Sequence, residues 1–434
     1  MSGMRRANSE CQQFAFSDTL KVDIMNFEID TDTVAIAEAI VRFIEREVVP
    51  LEELNRDVLG SERTMFEPSG RYVPKVLELR RQVRMRSAEL GYYNLFGDEK
   101  LGGGGQGAQV MAHVQEAINH RFGPARPLIH TVVLPSPFTN GLSPVLRHLN
   151  ADVFSRYGSG IASGERTLCF ALSEPDAGSD VFGMRTRAVR DGSDWLITGT
   201  KQWITNSPYA DHAMVFAVTD PAAAAQHKGG VTGFFVDTRA SGLSVPRLVN
   251  TMGHLGGDTG VVVFDGVRVS DEHRLGDVDR GLAVAMDGVN AGRMGMAATC
   301  LGLARWALDQ AVEYAKVRKT AGVPIADHQA IQFMLADSAM DIYAAKTMIQ
   351  NCAWRIDTGR VATAQVSMVK AFSTEMLGRV MDRSIQVHGG MGLTNELRLE
   401  EGYRFARVMR IPDGTGEIQR RTIARQLLSG RSEL

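Results

Sequence analysis

The sequence predicts an α+β fold with a helical N-terminal domain, a middle β-domain and a C-terminal helical bundle. Three observations lead to this prediction. The chain has 434 residues, more than one simple hydrophobic core usually serves. Apolar residues recur at helical spacing in the first and last thirds of the chain. Between them lie short runs rich in Val, Ile, Phe and Thr, which are typical of strands.

The N-terminal region is expected to be helical. Residues 1–32 are predicted to form an irregular extension and residues 33–165 a helical domain, with helices over 34–44 and Val76–Leu90 where apolar residues recur at helical spacing. The four glycines of Gly102–Gly105 lack the Lys and Ser/Thr of a phosphate-binding loop. We interpret them as a connection between helices.

A β-domain is expected over residues 166–275. Asp191-Gly192-Ser193 stands between two short strand-like runs, which is a hairpin signal. The predicted strands are Thr186–Arg190, Asp194–Thr198, Lys201–Asn206, His212–Val218, Val231–Asp237 and Gly260–Phe264.

The last segment, residues 276–434, is expected to be helical again. Long helical patterns joined by short connections indicate a bundle. The predicted helices are Ala283–Val317, Ala326–Thr358, Ala364–His388 and Glu417–Leu428.

Composition excludes several classes of function. The chain has 48 basic and 50 acidic residues and a net charge of −2, so we expect no nucleic-acid partner. No apolar run reaches the length of a membrane span, and the N-terminus lacks the apolar segment of a secretory signal, so we expect no membrane association. The four cysteines form no CxxC pair, and we interpret them as reduced thiols and expect no metal site. They are Cys11, Cys169, Cys300 and Cys352.

Two motifs in the β-domain could bind a flat cofactor. The segment Phe170–Asp180 reads FALSEPDAGSD, in which Gly178 permits close backbone approach and the serines offer hydroxyls to a phosphate or a ring edge. In Lys201–Asn206, KQWITN, Trp203 and Thr205 would share one strand face, where an indole could stack on a heterocycle. The alternatives are a surface turn for the first motif and core packing of the indole for the second.

The helical bundle carries two further candidates. Arg318-Lys319-Thr320 and His328-Gln329 flank a short loop, where basic groups complement a helix dipole or bind pyrophosphate. Gln386–Gly392, QVHGGMG, follows a long helix and is either its C-cap or a close approach to an adenylate. We interpret His388 as structural.

Two charged residues stand out near the end of the chain. Arg293 lies in an otherwise apolar helical stretch, so it needs an anionic partner: a structural salt bridge, an acyl-CoA or an active-site loop. Asp413 lies in Arg410–Arg420, RIPDGTGEIQR, on a turn just before a helix. Taken by itself, an Asp in this place is a favoured helix N-cap.

Taken in order, the motifs EPxAGSD, KxWITN, RKTxG with a following HQ, QxxGGxG and GTxxIQR resemble those of the acyl-CoA dehydrogenase family of flavoenzymes. The resemblance covers about residues 33–430. It implies a middle β-barrel-like domain and a C-terminal four-helix bundle with FAD between them. It also implies an acyl-CoA substrate, an electron-transfer flavoprotein as partner, and a homotetramer built as a dimer of dimers. Such an enzyme of fatty acid β-oxidation is expected in the cytoplasm of a bacterium or the mitochondrial matrix of a eukaryote.

The resemblance also implies residue roles. Asp413 occupies the position of the catalytic base. The positions that match FAD contacts are Phe170, Leu172, Ser173, Gly178, Ser179, Trp203, Ile204, Thr205, Arg318, Gln329, Gln386, Gly389, Gly390, Thr415 and Glu417. The positions that match acyl-CoA contacts are Ser179, Asn290, Arg293 and Gly414.

In this family a carboxylate removes the α-proton of the thioester, whose oxygen accepts hydrogen bonds, and a hydride passes from the β-carbon to flavin N5, leaving a trans-2-enoyl-CoA. The family usually has Glu where this chain has Asp413, so the carboxylate reaches about 1.5 Å less far. Some members place the base on the earlier helix, directly before the Arg that matches Arg293, but Gly292 stands there and cannot serve. Pro412 replaces a residue that is often aromatic, and Ala321 replaces a common Phe.

Two other functions remain open at this stage. An oxidase of the nitroalkane type on the same fold also uses Asp as its base. A non-catalytic flavoprotein that binds DNA would need a basic patch, and the net charge of −2 counts against one.

Overall fold

The structure is a computed structural model that describes residues 28–252 and 258–431. It confirms the predicted α+β class, with helices in the first part of the chain, a sheet in the middle and helices at the end. Cys11 and residues 1–27 of the predicted extension lie outside the described residues. The first helix begins at Thr31, within the last residues of that predicted extension. The domain boundaries expected from the sequence stay predictions.

The N-terminal part contains two long helices, α5 and α6, and several shorter ones. Asp30 starts α1, because its carboxylate accepts the backbone N–H of Thr33 at 2.8 Å. The start of α6 is capped from far along the chain: Asp357 accepts the N–H groups of Ala108 and Gln109 at 2.6 and 2.9 Å. The helices are α1 (Thr31–Phe43), α2 (Val49–Leu54), α3 (Arg56–Leu59), α4 (Glu62–Met65), α5 (Pro74–Glu89), α6 (Ala108–Phe122) and α7 (Ala151–Ala162).

The middle part is an eight-stranded sheet in the order β6-β7-β3-β2-β4-β5-β8, with β1 parallel to β4. The segments Asp194–Thr198 and Lys201–Asn206, predicted as separate strands, belong to one bulged strand, and three short strands, the first, sixth and eighth, were not predicted. The elements are β1 (Leu168–Ala171), β2 (Arg187–Asp191), β3 (Asp194–Thr205), β4 (His212–Val218), α8 (Pro221–Ala225), β5 (Val231–Asp237), β6 (Leu243–Leu248), β7 (Thr259–Ser270) and β8 (Arg274–Leu275).

Strand β4 is buried along its whole length, which explains its continuous apolar sequence. Its side chains alternate between two cores, as the period of two requires. Met214 and Phe216 belong to a core shared with helix residues such as Val284. Ala213 and Val215 point to the opposite face, where they pack against residues of the other strands. The sheet is therefore covered on one side by the helices that carry the rest of the site.

The C-terminal part is built on three helices that each exceed 25 residues. The structure also contains a helix over Leu399–Met409 that was not predicted. The elements are α9 (Gly281–Val317), β9 (Lys319–Thr320), β10 (Val323–Pro324), α10 (Gln329–Asp357), α11 (Thr363–His388), α12 (Leu399–Met409) and α13 (Gly416–Leu428). Within the described ranges, no helix combines the length and apolar character needed to cross a membrane.

Helices α6 and α9 pack together at glycine. A Cβ on Gly302 would lie 2.5 Å from the carbonyl oxygen of Glu116 on α6, so only glycine lets the two backbones approach this closely. Gly295, two turns earlier on the same helix, has no heavy atom within 4 Å of such a Cβ. The two glycines of α9 therefore have different structural roles.

We expect Gly302→Ala to lower the free energy of unfolding by about 1–3 kcal/mol, because the new methyl group forces the helices apart. Gly295→Ala is the matched control and should raise it by up to about 1 kcal/mol, because alanine favours the helix. Thermal unfolding of both proteins at one concentration measures the difference. Equal shifts in the two variants would contradict this account of the interface.

Candidate active site

The loop that carries Asp413 is held by its backbone. Asp413 and Gly414 both have positive φ, 57° and 91°. Arg293 Nε and Gln419 Nε2 donate to the carbonyl oxygen of Asp413 at 2.9 and 3.0 Å. Lys370 Nζ and Gln419 Nε2 donate to that of Gly414 at 2.8 and 3.0 Å. Three buried side chains thus fix two successive left-handed residues, a conformation that costs free energy unless its surroundings enforce it.

The N-cap interpretation of Asp413 is wrong. Helix α13 begins one residue after Thr415, whose hydroxyl accepts the backbone N–H of Ile418 at 3.3 Å. Thr415 therefore does the capping, and the Asp413 side chain is left for another role. In the described part of the chain, no group donates a hydrogen bond to its carboxylate.

The electrostatics of Asp413 suit a base. Burial raises the pKa of its carboxyl to about 6, although the positive charges of Lys370 and Arg293 oppose the rise. Burial also lowers the pKa of Lys370 to about 8, with Asp413 as the largest opposing influence. A carboxylate without hydrogen bonds and with a pKa near neutrality accepts a proton readily.

Gly292 and Phe138 line the approach to this carboxylate. A Cβ on Gly292 would lie 3.0 Å from Asp413 Oδ2 and 2.5 Å from the ring of Phe138. Phe138 in turn meets the ring of Phe170 edge-on, with centroids 5.2 Å apart. The absence of a side chain at Gly292 leaves room for both groups, and the chain of contacts leads from Asp413 to the end of β1.

At that end, a buried ion pair fixes the first cofactor motif against the second. Lys201 Nζ donates to a carboxylate oxygen of Glu174 at 2.8 Å and to the carbonyl of Leu172 at 2.9 Å. The other contacts of Glu174 are the N–H groups of Arg185 and Thr186, at 2.6 and 3.0 Å. Burial lowers the pKa of Lys201 to about 8, against the opposing attraction of Glu174.

The two motifs are also joined by Ser173. Its hydroxyl donates to the carbonyl of Gln202 at 2.8 Å, and the N–H of Gln202 donates to the carbonyl of Ser173 at 2.9 Å. The hydroxyl is thus engaged with the protein backbone. Further along the loop, Gly178 and Ser179 are exposed.

Trp203 sits on a bulge of β3 with a positive φ of 67° and is 52% exposed, so core packing of this indole is wrong. A bulky residue in this conformation is unusual and presents its ring outward. Thr205 is exposed as well, whereas Ile204 between them is buried. Trp203 and Thr205 therefore offer an aromatic face and a hydroxyl to a ligand.

The remaining predicted cofactor residues lie at one end of the bundle. Gly389 ends α11 with a positive φ of 59°, so the C-cap interpretation of this motif holds. His388 Nδ1 donates to the Ser384 carbonyl at 2.7 Å, and its ring packs on that of Tyr314 with centroids 4.5 Å apart, which is a structural role. Among the described residues, no hydrogen bond or ring contact joins this end to Trp203 or Asp413. The exposed residues here are Arg318, Gln329, Gln386, Gly389 and Gly390.

The predicted substrate residues surround the base loop only in part. Arg293 is 8% exposed, and its Nε donates to the Asp413 carbonyl. Its Nη1 donates to Oδ1 of the exposed Asn290 at 3.1 Å. Ser179 shows no such contact. The structure thus places Arg293 on the active-site loop, which was one of the alternatives for it.

Sequence reasoning missed Lys370, Gln419, Glu174, Lys201 and Phe138 as functional residues. Lys370 carries the signal that singled out Arg293: a charged residue among apolar neighbours on a long helix. Glu174 and Lys201 belong to motifs that were noticed for other members. Gln419 is likewise the glutamine of the GTxxIQR motif, whereas Phe138 gave no comparable signal, because only the tertiary fold brings it to the site.

Two domains known from other proteins match this chain: the acyl-CoA dehydrogenase middle domain over residues 169–267 and the acyl-CoA dehydrogenase C-terminal domain over residues 279–428. The chain belongs to the acyl-CoA dehydrogenase family. It is 34% identical over 377 residues to a subunit of the caffeyl-CoA reductase-Etf complex of Acetobacterium woodii, covering 87% of this chain and 94% of that subunit.

A second relative, the 3-(aryl)acrylate reductase of Clostridium sporogenes, is 34% identical over 378 residues, which cover 87% of this chain and 97% of the relative. Butyryl-CoA dehydrogenase from Megasphaera elsdenii has a similar structure, with a TM-score of 0.76 at 26% identity over 93% of this chain and 100% of that one. This acyl-CoA dehydrogenase family member is therefore an oxidoreductase.

The ion pair of Lys201 and Glu174 yields a prediction for this family member. Lys201→Met leaves a buried carboxylate without its cation and should cost about 3–5 kcal/mol of unfolding free energy. Adding Glu174→Gln removes that charge, so the double variant should be more stable than Lys201→Met alone. Chemical unfolding of the wild type, Lys201→Met, Glu174→Gln and the double variant completes the double-mutant cycle. Additive effects of the two changes would contradict a coupled pair.

Proposed function

We propose that this chain catalyses the α,β-dehydrogenation of an acyl-CoA thioester to a 2-enoyl-CoA, with Asp413 as the base and FAD as cofactor. The observation that carries the proposal is the state of Asp413: a carboxylate free of hydrogen bonds among the described residues, on a backbone fixed by Arg293, Lys370 and Gln419. Such a group has a fixed position and a high affinity for a proton, as abstraction of a weakly acidic α-proton requires.

The residues around Asp413 have separate roles in the proposed reaction. Asp413 takes the α-proton on its carboxylate. Arg293 and Lys370 lower the free energy of the ionised carboxylate, so burial raises its pKa only to about 6. Phe138 and Phe170 supply an apolar wall beside Gly292 that excludes water from the reacting carbons.

The exposed groups fit FAD. Trp203 offers an aromatic face for a flat ring and Thr205 a hydroxyl at its edge, while Arg318 supplies positive charge for a pyrophosphate. Thr415 and Glu417 flank the base on the side toward α13. When bound, FAD supplies the acceptor for the hydride that leaves the β-carbon. The FAD contacts named from the resemblance are part of the same proposal, as are Asn290, Arg293 and Gly414 toward the acyl-CoA.

The proposal includes a partner and an oligomer. The name of the Acetobacterium woodii relative joins a CoA-thioester reductase to an Etf, which supports an electron-transfer flavoprotein as the redox partner in β-oxidation. A homotetramer is supported by the outer face of α10, where Phe333, Met340 and Tyr343 are 58%, 63% and 76% exposed. Large exposed apolar side chains on one face of a helix are typical of an interface.

A second candidate is the reverse reaction, the reduction of a 2-enoyl or aryl-acrylyl thioester. It is supported by the names of two relatives, a caffeyl-CoA reductase subunit and a 3-(aryl)acrylate reductase. The same base position would then deliver a proton to the α-carbon. The direction depends on the redox partner and the substrate, so both directions enter the test.

Straight, branched, cyclic and aryl-substituted acyl-CoA thioesters should be added anaerobically to the yellow holoprotein while the oxidised-flavin absorbance is recorded. We expect bleaching by at least one saturated thioester, because Asp413 can then remove its α-proton. In Asp413→Asn the bleaching rate should fall by several orders of magnitude with FAD still bound, as loss of a catalytic base requires.

Each outcome assigns the protein to a function. Reoxidation of the reduced flavin by a 2-enoyl-CoA, in a holoprotein that no saturated thioester bleaches, would favour the reductase. Rapid reoxidation by oxygen after reduction by a nitroalkane would favour the oxidase. No reaction with any of these compounds would overturn the proposal in favour of a non-catalytic flavoprotein.

The pH dependence of flavin reduction offers a separate prediction. Asp413 works only when ionised, and its raised pKa leaves it protonated in acid, so kcat/KM should rise with pH and level off above about 6. Stopped-flow reduction at subsaturating thioester, between about pH 5 and about pH 8, measures this profile for the free enzyme. A rate that is constant over the whole range would contradict Asp413 as the base.

A further inference from the structure

Lys370 is a buried cation beside the base loop. It lies on α11 and has no exposed surface, and its hydrogen bond to the Gly414 carbonyl at 2.8 Å directs the ammonium at the residue after Asp413. Its neighbours on the helix, Val369 and Ala371, belong to the buried interior. A burial this complete is rare for lysine unless the residue has a specific partner.

The hydrogen bond by itself does not explain a cation. A neutral amide could donate to the Gly414 carbonyl as Gln419 does, without the desolvation that a buried ammonium costs. The charged and titratable groups that face Lys370 are Asp413 on the loop, Arg293 and Cys300 on α9, and Glu417 on α13. Of these, Asp413 has the strongest favourable interaction with the ammonium.

Arg293 does not make Lys370 redundant. Its guanidinium is shared between the Asp413 carbonyl and Asn290 Oδ1, so it reaches the loop from α9. Lys370 approaches the next carbonyl from α11. The two cations thus hold successive carbonyls of one loop from different helices, and the carboxylate between them receives no hydrogen bond of its own in the described residues.

We propose that Lys370 is a positioning residue for the base: its ammonium fixes the peptide that follows Asp413, and its positive charge keeps the neighbouring carboxylate ionised and ready to accept a proton. The inference rests on the proposed function of Asp413. Lys370 on α11 thereby controls the position and the ionisation of Asp413 without needing to touch the substrate.

Three variants separate the charge from the hydrogen bond. Lys370→Met removes both, Lys370→Gln removes the charge and retains an N–H donor, and Lys370→Arg retains the charge. Lys75→Met is the matched control, because Lys75 is an exposed lysine on α5 that pairs with Glu78. FAD content and far-UV circular dichroism verify that each variant folds. Should Lys370→Met fail to fold, Lys370→Gln, which retains a donor for the buried carbonyl, supplies the neutral variant.

The measurement is the infrared band of the protonated Asp413 carboxyl in the FAD-bound protein without substrate, assigned by its loss in Asp413→Asn and followed against pH. We expect its midpoint to rise by about one pH unit or more in Lys370→Met and Lys370→Gln, since a nearby cation favours the charged form. It should return toward the wild-type midpoint in Lys370→Arg and stay unchanged in Lys75→Met. An unchanged midpoint in the neutral variants would overturn the inference.

Flavin reduction then connects this result to turnover. If Asp413 is the base, the pH profile of kcat/KM in Lys370→Gln should shift upward by the same amount as the infrared midpoint, whereas a purely structural role would lower the rate without moving the profile. The infrared titration needs no turnover. A shifted midpoint in a protein that no thioester reduces would therefore refute the proposed function and leave the coupling of Lys370 to Asp413 established.

Discussion

Two adjacent carbonyl groups, those of Asp413 and Gly414, accept four hydrogen bonds from Arg293, Lys370 and Gln419. These bonds come from three different helices, so the position of the base depends on the assembly of the whole bundle. They also stabilise a left-handed backbone that would otherwise be costly. A carboxylate held in this way requires no hydrogen bonds of its own, and its affinity for protons follows from burial.

The left-handed conformation also bears on the choice of Asp at this position. Asp and Asn are enriched several-fold among residues with positive φ, because their short polar side chains tolerate it. A shorter side chain then needs space close to the backbone, and Gly292 provides it on the facing helix. Asp413, Gly292 and the ring of Phe138 therefore form one packing solution, in which a change at any of them alters the space beside the base.

The β-domain repeats the same principle at its own ligand-facing segment. Lys201 and Glu174 form a buried pair that bonds the Leu172 carbonyl and the N–H groups of Arg185 and Thr186. The functional candidates beside this pair, Trp203 and Thr205, are exposed. In both halves of the site a buried lysine donates a hydrogen bond to a backbone carbonyl and fixes the loop. The side chains that face the ligand are left free to interact with the ligand.

The sequence by itself determined the α+β class, the long helices of the bundle and the strand His212–Val218, because helical periodicity and a continuous apolar run are local patterns that can be read without the fold. It also singled out Asp413, Arg293 and Trp203 from local context and family motifs. It could not show that Thr415 rather than Asp413 caps α13, that a bulge turns Trp203 outward, or that Lys370 and Gln419 reach the loop of Asp413. Those facts depend on contacts between residues more than five positions apart or on the exact backbone path, and only the tertiary structure decides them.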